Sequence, residues 1–547
     1  MTDIIDHRLR GAWTPEGAAA VELAPRSVRW LAERIGPAAS GAPASTAADS
    51  AIDVPPSRLP EGARAELAAV VGAEHVLDGA AERLGRCGGL SYLDLLRRRD
   101  PGTGLAVPDA VVVPAGPEQV QRVLDVCVAR DVGVVPFGGG TSVVGGVTAL
   151  RGGKEAVLVL DLARLDRLVS VDPVSRIAVL QAGVRGPDAE RMLAAHGLTL
   201  GHVPQSFERA TIGGFAATRS AGQESSGYGR FEDMVTGVRL ATPRGEWRLG
   251  AAPASAAGPD LRHLALGSEG ALGVITEVAV RVRPLPAERR FEAFALDGWE
   301  RGTAAVRELA QHGLLADVTR LSDADETEAS LALAGGWKTR LLRRYLAARG
   351  LARPCLLVLG WHGGSAREIA RRRRAAVGVL RAEGVVALGA APGLAWRRGR
   401  FAGPRQRDAL LDLGVCVETL ETATYWSKLG ELRDRVRVAL RDELGRALVL
   451  CHVSHAYETG ASLYFTVLAV RDPADPAGQW ERAKRAASEA ISEGTLGTIT
   501  HHHAVGTDHA PYLPAEIGAV GVAVLTAAKH AVDPTGILNP GKLVPPS

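Results

Sequence analysis

Short runs of β-branched residues alternate with helix-spaced apolar positions over much of the chain. DAVVVPA, from Asp109, predicts a strand, PEQVQRVLDVCVARD spaces Val and Leu as a helix does, and VGVVPF predicts a second strand. This strand, helix, strand succession requires a parallel crossover. AVLVLDL, RIAVLQAG and MVTGVRLATP extend the strand count, PDAERMLAAHG adds a helix, and GVITEVAVRVRPLP closes the unit. Between about Phe291 and Ile499 long Arg/Ala/Leu-rich helical segments alternate with strands such as PCLLVLGWH and ASLYFTVLAV. Turn chemistry returns in DPTGILNPGKL, which is expected to dock on the first unit. The pattern divides the chain into an appendage (1–104), a first α+β domain (105–288), a mixed α/β second domain (289–499) and a returning tail (500–547). Residues 37–60, rich in Ala, Ser and Pro, carry little to bury and are expected to be a surface linker.

Length supports more than one core: the chain has 547 residues, and single cores stop growing at about 250–300. With 46% hydrophobic and 23% charged residues it has an ordinary globular composition. The formal charge of +3 provides no overall field to gather nucleic acid, so any anion recognition has to be local. The five cysteines are odd in number and never form a CxxC pair, which argues against a disulfide framework or a zinc site and favours a cytoplasmic protein. No signal-like N-terminus and no stretch of about 18 apolar residues is apparent.

Three glycine-centred segments carry the candidate chemistry. PFGGGTSVVGG, from Pro136 to Gly146, follows a strand, and its glycines let successive backbone N–H groups converge into an anion nest beside Thr141 and Ser142. A mobile loop without a ligand is the bland alternative. No GK[ST] follows and the spacing does not fit GxGxxG, which sets aside ATP and a Rossmann cofactor. PQSFERATIGGFAATRSAGQESSGYGRFEDMV and GSEGALGVIT, running from Gly267 to Thr276, are the other two. Three such loops returning to one domain point to a single extended, phosphate-bearing ligand.

Together these segments resemble the FAD domain shared by vanillyl alcohol oxidase, D-lactate and glycolate dehydrogenases and alkyldihydroxyacetonephosphate synthases, from about Leu96 to Leu543. The resemblance implies a two-domain vanillyl-alcohol-oxidase-type α+β fold with non-covalent FAD, since no His or Cys lies in the first loop. It places Pro136, Phe137, Gly138, Gly139, Gly140, Thr141 and Ser142 on the pyrophosphate. Around the rest of the cofactor it places Gln205, Ser206, Phe207, Glu208, Arg209, Ala210 and Thr211, then Thr218, Arg219, Ser220 and Ala221, then Glu269, Gly270, Ala271, Leu272, Gly273, Val274 and Ile275. TRSAG followed by YGRFEDMV, and the triple histidine in THHHAVGTDHAPYL, resemble the synthases, whereas the GEHGIG-type segment of the hydroxy-acid dehydrogenases is absent. Gln205 and Phe207 stand where the synthases have Asp and Leu.

By the same resemblance Tyr464, with Tyr457 as its rival, and His501, His502 and His503 are catalytic, and Arg407 and Arg320 bind substrate. Consecutive side chains point in alternating directions, so the three histidines are not expected to share a metal. The implied reaction replaces the acyl chain of acyl-dihydroxyacetone phosphate by a fatty alcohol, with the flavin as a covalent platform and no net redox. A 2-hydroxy-acid or alcohol dehydrogenase on the same fold is the alternative, and a flavin-binding protein without catalysis is a third reading. A lipid substrate leaves room for transient membrane contact, for instance by the basic stretch containing RLLRRYLAARG, and the resemblance leaves room for a homodimer.

Overall fold

The computed structural model describes Trp13 and residues 22–37, 52–99 and 104–544; most of the Ala/Ser/Pro-rich segment lies outside the described residues. The predicted strands at 110–137 form a small parallel unit. Val132–Phe137 and Ala110–Val112 both run parallel to Ala156–Asp161, which lies between them. These strands are apolar on both faces because both faces are covered. The helix Pro117–Ala129 supplies the crossover and buries Val120, Val123, Leu124 and Cys127, the i, i+3, i+4, i+7 stripe of its sequence. A five-stranded antiparallel sheet follows, in the order Leu168–Asp172, Ile177–Gln181, Val274–Arg281, Val235–Thr242, Gly245–Leu249.

The second half builds a seven-stranded antiparallel sheet, in the order Val386–Gly389, Glu288–Asp297, Pro354–Gly363, Val318–Ser322, Leu448–Ala456, Gly460–Val470, Val415–Tyr425. Helices such as Trp299–Gln311, Ala366–Ala382 and Leu429–Leu444 contribute to the large core on one face. Strand alternation then sends Val449, Cys451 and Val453 into that core and leaves Leu448, Leu450, His452 and Ser454 facing a cavity.

The first hundred residues are more dispersed than a single appendage. Helix Glu61–Val71 buries Ala63, Leu67, Val70 and Val71 in the core of the first domain. Helix Pro25–Ile35 instead lends Leu31 and Ile35 to the core of the second, joined by Leu90, Tyr92, Leu95 and Leu96.

The tail returns to the first domain. Val134 donates its N–H to Ile537 O at 2.8 Å and accepts from Asn539 N at 2.7 Å, so the tail adds an isolated parallel bridge to the edge strand. Asn539 Nδ2 donates to Gly146 O (3.1 Å) and Glu269 O (2.6 Å), tying the first and third glycine segments together. Ala510–Val532 is a helical stretch long and apolar enough, by length and composition only, to cross a membrane, although Glu516, Lys529 and His530 interrupt its apolar residues. Only 6% of its most apolar window is buried, so it is not a core helix. Gly518, at φ 71°, breaks it, and Leu513, Ile517, Leu525 and Val532 belong to a small cluster with Ala271, Leu272 and Leu543.

Asn539→Ala removes two buried hydrogen bonds and leaves two carbonyls unsatisfied, so it should cost about 1–3 kcal/mol. Thermal melting checks this, and an unchanged melting temperature would show that the tail clamp is not needed.

Candidate functional site

The three glycine segments meet at one wall of a cavity of about 1080 Å³. Their contact is close enough to exclude side chains. A Cβ on Gly138 would lie 2.3 Å from Thr211 Oγ1, one on Gly139 2.3 Å from Arg209 O, and one on Gly270 2.6 Å from Pro136 Cγ. Thr211 in turn caps helix Ile212–Ala217, its hydroxyl accepting from Gly214 N at 3.3 Å. Ser142 Oγ accepts from Gly146 N at 2.9 Å and fixes the far side of the loop.

All of Pro136, Phe137, Gly138, Gly139, Gly140, Thr141 and Ser142 line the cavity. So do Gln205, Ser206, Ala210, Thr211, Thr218, Ser220, Ala221, Glu269, Gly270, Gly273 and Ile275. The remaining expected cofactor contacts are engaged elsewhere. Phe207 stacks on Phe401 with centroids 6.0 Å apart, Glu208 pairs with Arg405 at 2.6 Å, and Arg209 donates to Trp13 O at 2.9 Å. Arg219 pairs with Glu232, Ala271 and Leu272 pack in the tail cluster, and Val274 is in the core of the first domain. Partners outside the loops explain the split: Phe401, Arg405, Trp13 and Glu232 each hold one of these side chains away from the cavity. A wall of glycine backbone and hydroxyls fits a dinucleotide pyrophosphate.

Opposite the cradle, one rung of the seven-stranded sheet places His452, Tyr464 and Glu421 side by side. His452 is the register partner of Tyr464 on one side and Glu421 is its partner on the other. The Tyr464 ring stacks on His452 (5.0 Å, 24°) and on His502 (6.1 Å, 19°) and meets His503 edge-on (5.7 Å, 84°). Burial pushes the Tyr464 phenol up to about 12, so it keeps its proton at neutral pH.

Glu421 shapes the histidine turn. Its carboxylate accepts from the backbone N–H of His501 (2.8 Å), His502 (3.2 Å) and His503 (3.0 Å) and from Thr500 Oγ1 (2.6 Å). Burial opposes its charge, but the histidine rings, His502 foremost, outweigh burial and hold the carboxyl well below its usual range. Glu269 grips the other end of the same loop, accepting from Val505 N (3.0 Å) and Gly506 N (2.9 Å). Burial raises Glu269 to about 7.

The turn sends the three histidines different ways. His502 and His503 line the cavity. His501 turns away, sharing a 2.6 Å hydrogen bond with the hydroxyl of Tyr457, so both stand behind the cavity wall. Tyr464, rather than its rival Tyr457, therefore faces the glycine cradle. His455, which no motif identified, joins the wall with Nε2 2.9 Å from Gly222 O. Its nitrogens, with those of His501 and His502, lie within 4.8 Å of one another, whereas the consecutive trio does not form such a group.

Both arginines line the cavity but already carry partners. Arg407 is buried and donates to Glu418 Oε1 (2.9 Å) and Leu90 O (3.3 Å). Arg320 donates to Glu326 Oε1 at 2.9 Å and lies 3.1 Å from His452 Nδ1. A phosphate at either guanidinium has to share it with a carboxylate. No motif marks Glu326, His452 or Glu421, because the contacts that join His452 to Arg320 and Glu326, and Glu421 to the histidine turn, span more than 70 residues of sequence. The only local signal is the alternation Leu448, Leu450, His452, Ser454, in which a histidine takes the place of a core residue.

Comparisons with known proteins find FAD-linked enzymes, among them alkyldihydroxyacetonephosphate synthases and, at 28% identity over 459 residues, the mitochondrial D-lactate dehydrogenase (cytochrome) of Arabidopsis thaliana. Residues 108–250 match the family described as FAD binding domain, and 285–543 match FAD linked oxidases, C-terminal domain. The chain is 30% identical over 508 residues to alkyldihydroxyacetonephosphate synthase of Dictyostelium discoideum, covering 90% of this chain and 82% of that one. It is 32% identical over 496 residues to the synthase of Trypanosoma brucei brucei, covering 88% and 80%. A solved alkyldihydroxyacetonephosphate synthase superposes with TM-score 0.81 at 27% identity, covering 94% of this chain and 92% of the other.

The buried histidines make stability depend on pH. Burial lowers His202, His455 and His503 to about 3 and His509 to about 4. The unfolded chain takes up these protons near pH 6.5 and the folded chain does not. Each such histidine therefore withdraws up to about 1.4 kcal/mol per pH unit as pH falls from 6.5 towards 4. Glu269, raised to about 7, works in the opposite sense between about 4.5 and 7, and burial raises Asp94, Glu224 and Asp323 in the same sense, so the net slope is what the buried histidines, His362 among them, leave over these carboxyls. The melting temperature should fall from pH 7 to pH 5, and His509→Gln should flatten that slope. Equal melting temperatures at both pH values would contradict this accounting.

Proposed function

The chain belongs to the alkyldihydroxyacetonephosphate synthase family of FAD-dependent flavoproteins, and on that premise we propose that it exchanges the acyl chain of acyl-dihydroxyacetone phosphate for a fatty alcohol, forming an ether-lipid precursor. The observation that carries this reading is the wall of the cavity. It joins the glycine cradle and the Tyr464, His502 and His503 centre to apolar side chains from Leu31, Leu331, Leu342, Leu356, Leu448 and Leu468. A short hydroxy acid has no use for such a surface, whereas each methylene of an alkyl chain buried there contributes about 0.8 kcal/mol.

The glycine loops would hold FAD, which in its reduced form would supply an electron-rich ring beside the dihydroxyacetone carbon. The chain's own residues do the rest. Tyr464, protonated at neutral pH, donates a hydrogen bond at the reacting oxygen. His503, held neutral by burial, accepts one, and the Glu421 carboxylate fixes the backbone that carries it. Arg320 and Arg407 hold the anionic end of the ester, each moderated by its carboxylate partner.

Ether formation and hydroxy-acid oxidation assayed side by side test the reading. Ether product is expected from acyl-dihydroxyacetone phosphate and a long-chain primary alcohol, with KM falling as the alcohol lengthens. Anaerobic bleaching of the flavin by D-lactate or glycolate, without ether formation, would overturn it. Tyr464→Phe should lower turnover about 10²-fold or more while leaving the visible flavin spectrum unchanged.

A lipid substrate also motivates a membrane contact beside the cavity. Helix Gly336–Ala348 lends Lys338, Thr339 and Leu342 to the cavity wall, while Trp337 and Leu341 are 65% and 59% exposed among Lys338, Arg340 and Arg344. The protein should sediment with anionic vesicles, and Trp337→Glu should weaken this several-fold; wild-type protein that stays in the supernatant argues against the contact. Five buried, unpaired cysteines support residence in a reducing compartment such as the cytoplasm.

A further inference from the structure

Among the polar groups on the cavity wall, His452 has no role in the exchange as described so far, yet its surroundings are those of a base. It stands where the apolar stripe ends. On its strand Leu448 and Leu450 precede it on the cavity face and Ser454 follows, and on the neighbouring strand Leu468 and Thr466 lead in the same direction to Tyr464. An alkyl chain lying along the leucines therefore brings its terminal hydroxyl to the His452–Tyr464 rung.

The ring is oriented from behind by a buried carboxylate. His452 Nδ1 lies 3.0 Å from Glu326 Oε1 and 3.1 Å from Arg320 Nη2. Nδ1 cannot donate to one and accept from the other at once. Arg320 already donates to Glu326 Oε1 at 2.9 Å. Glu326, by contrast, is a buried anion that needs donors: burial opposes its charge, but His452 and Arg320 outweigh it and hold the carboxyl below its usual range. The proton accordingly belongs on Nδ1, and the lone pair on Nε2. Nε2 has no hydrogen-bond partner among the described residues, and His452 lies on the cavity wall. Burial, then the Arg320 charge, lower the imidazole below its ordinary value, so it is neutral and able to accept at pH 7.

We propose that His452, oriented by Glu326, is the catalytic base that takes the hydroxyl proton of the incoming fatty alcohol. This role rests on the synthase reading above. The alcohol O–H bond breaks, its proton passes to Nε2, and the oxygen forms the new C–O bond to the carbon from which the fatty acid has departed as carboxylate with the bonding pair. The imidazolium then returns the proton to that carboxylate or to water, so the exchange balances as ester plus alcohol giving ether plus acid. Glu326 is a positioning residue that stabilises the imidazolium while it lasts.

The test uses the flavin-loaded protein with acyl-dihydroxyacetone phosphate and a long-chain primary alcohol. His452→Gln is expected to lower kcat for ether formation by about 10²-fold or more with the alcohol KM changed only a few-fold. His452→Ala should regain at least about tenfold on addition of imidazole, which a purely structural role would not allow. Glu326→Gln should lower kcat about tenfold and keeps the proposal testable if the His452 variants lose flavin. Ether formation by His452→Gln within threefold of wild type overturns the assignment, as does a His452→Ala defect untouched by imidazole or an unaltered kcat in Glu326→Gln. If the wild-type protein forms no ether at all, the synthase reading fails and this role fails with it. If the wild type is active and His452→Gln is unaffected, the role alone is lost.

Discussion

The architecture of the centre depends on the buried carboxylate of Glu421. A carboxylate removed from water is costly unless its oxygens find donors. Here four come from one short segment, Thr500 to His503, which the chain delivers only after the seven-stranded sheet is complete. That requirement fixes the turn, and the turn distributes the imidazoles, sending His502 and His503 to the cavity and His501 to Tyr457. Glu269 applies the same chemistry from the other domain, gripping Val505 and Gly506. The loop thus hangs between two carboxyl groups, one from each half of the molecule, and the distance between the cradle and the His452–Tyr464–Glu421 rung is set by that suspension.

Burial disfavours protonation of His501 and His503, and with the ionised Glu421 they make a polar floor beneath Tyr464. Such a floor binds an ester and an alcohol without trapping either as an ion. The side of the sheet that bears it is also the side that bears the apolar rows, because alternation along a strand gives one face to the helical core and the other to the cavity. One sheet face therefore grades from leucine to histidine over a few residues, which suits a substrate that is apolar along its length and reactive at one end. Arg320 and Arg407 fit this economy of charge, since each is paired before any substrate arrives.

Much of this was legible in the chain. The β-branched runs, the helix Pro117–Ala129 and the three glycine segments are local patterns with local causes, and they carry the resemblance that implied the FAD-binding fold. Glycine positions were readable because close approach of backbones admits no Cβ at Gly138 or Gly139. Less legible was which residue within each loop faces the ligand: Phe207, Glu208, Arg209 and Arg219 share their segments with true wall residues but are drawn off by Phe401, Arg405, Trp13 and Glu232.

The sequence by itself determined the strand and helix pattern of the first unit and the three glycine segments, which rest on local spacing, while its resemblance to the synthases pointed to FAD, Tyr464 and the histidine turn. Only the tertiary structure decided which histidines face the cavity, that Tyr464 rather than Tyr457 stands over the cradle, and that His452 and Glu326 form a pair. Those outcomes depend on strand register and on contacts between residues tens to hundreds of positions apart. Hydrogen-bond satisfaction of a few buried carboxylates selects them, and no periodicity in the chain encodes that selection.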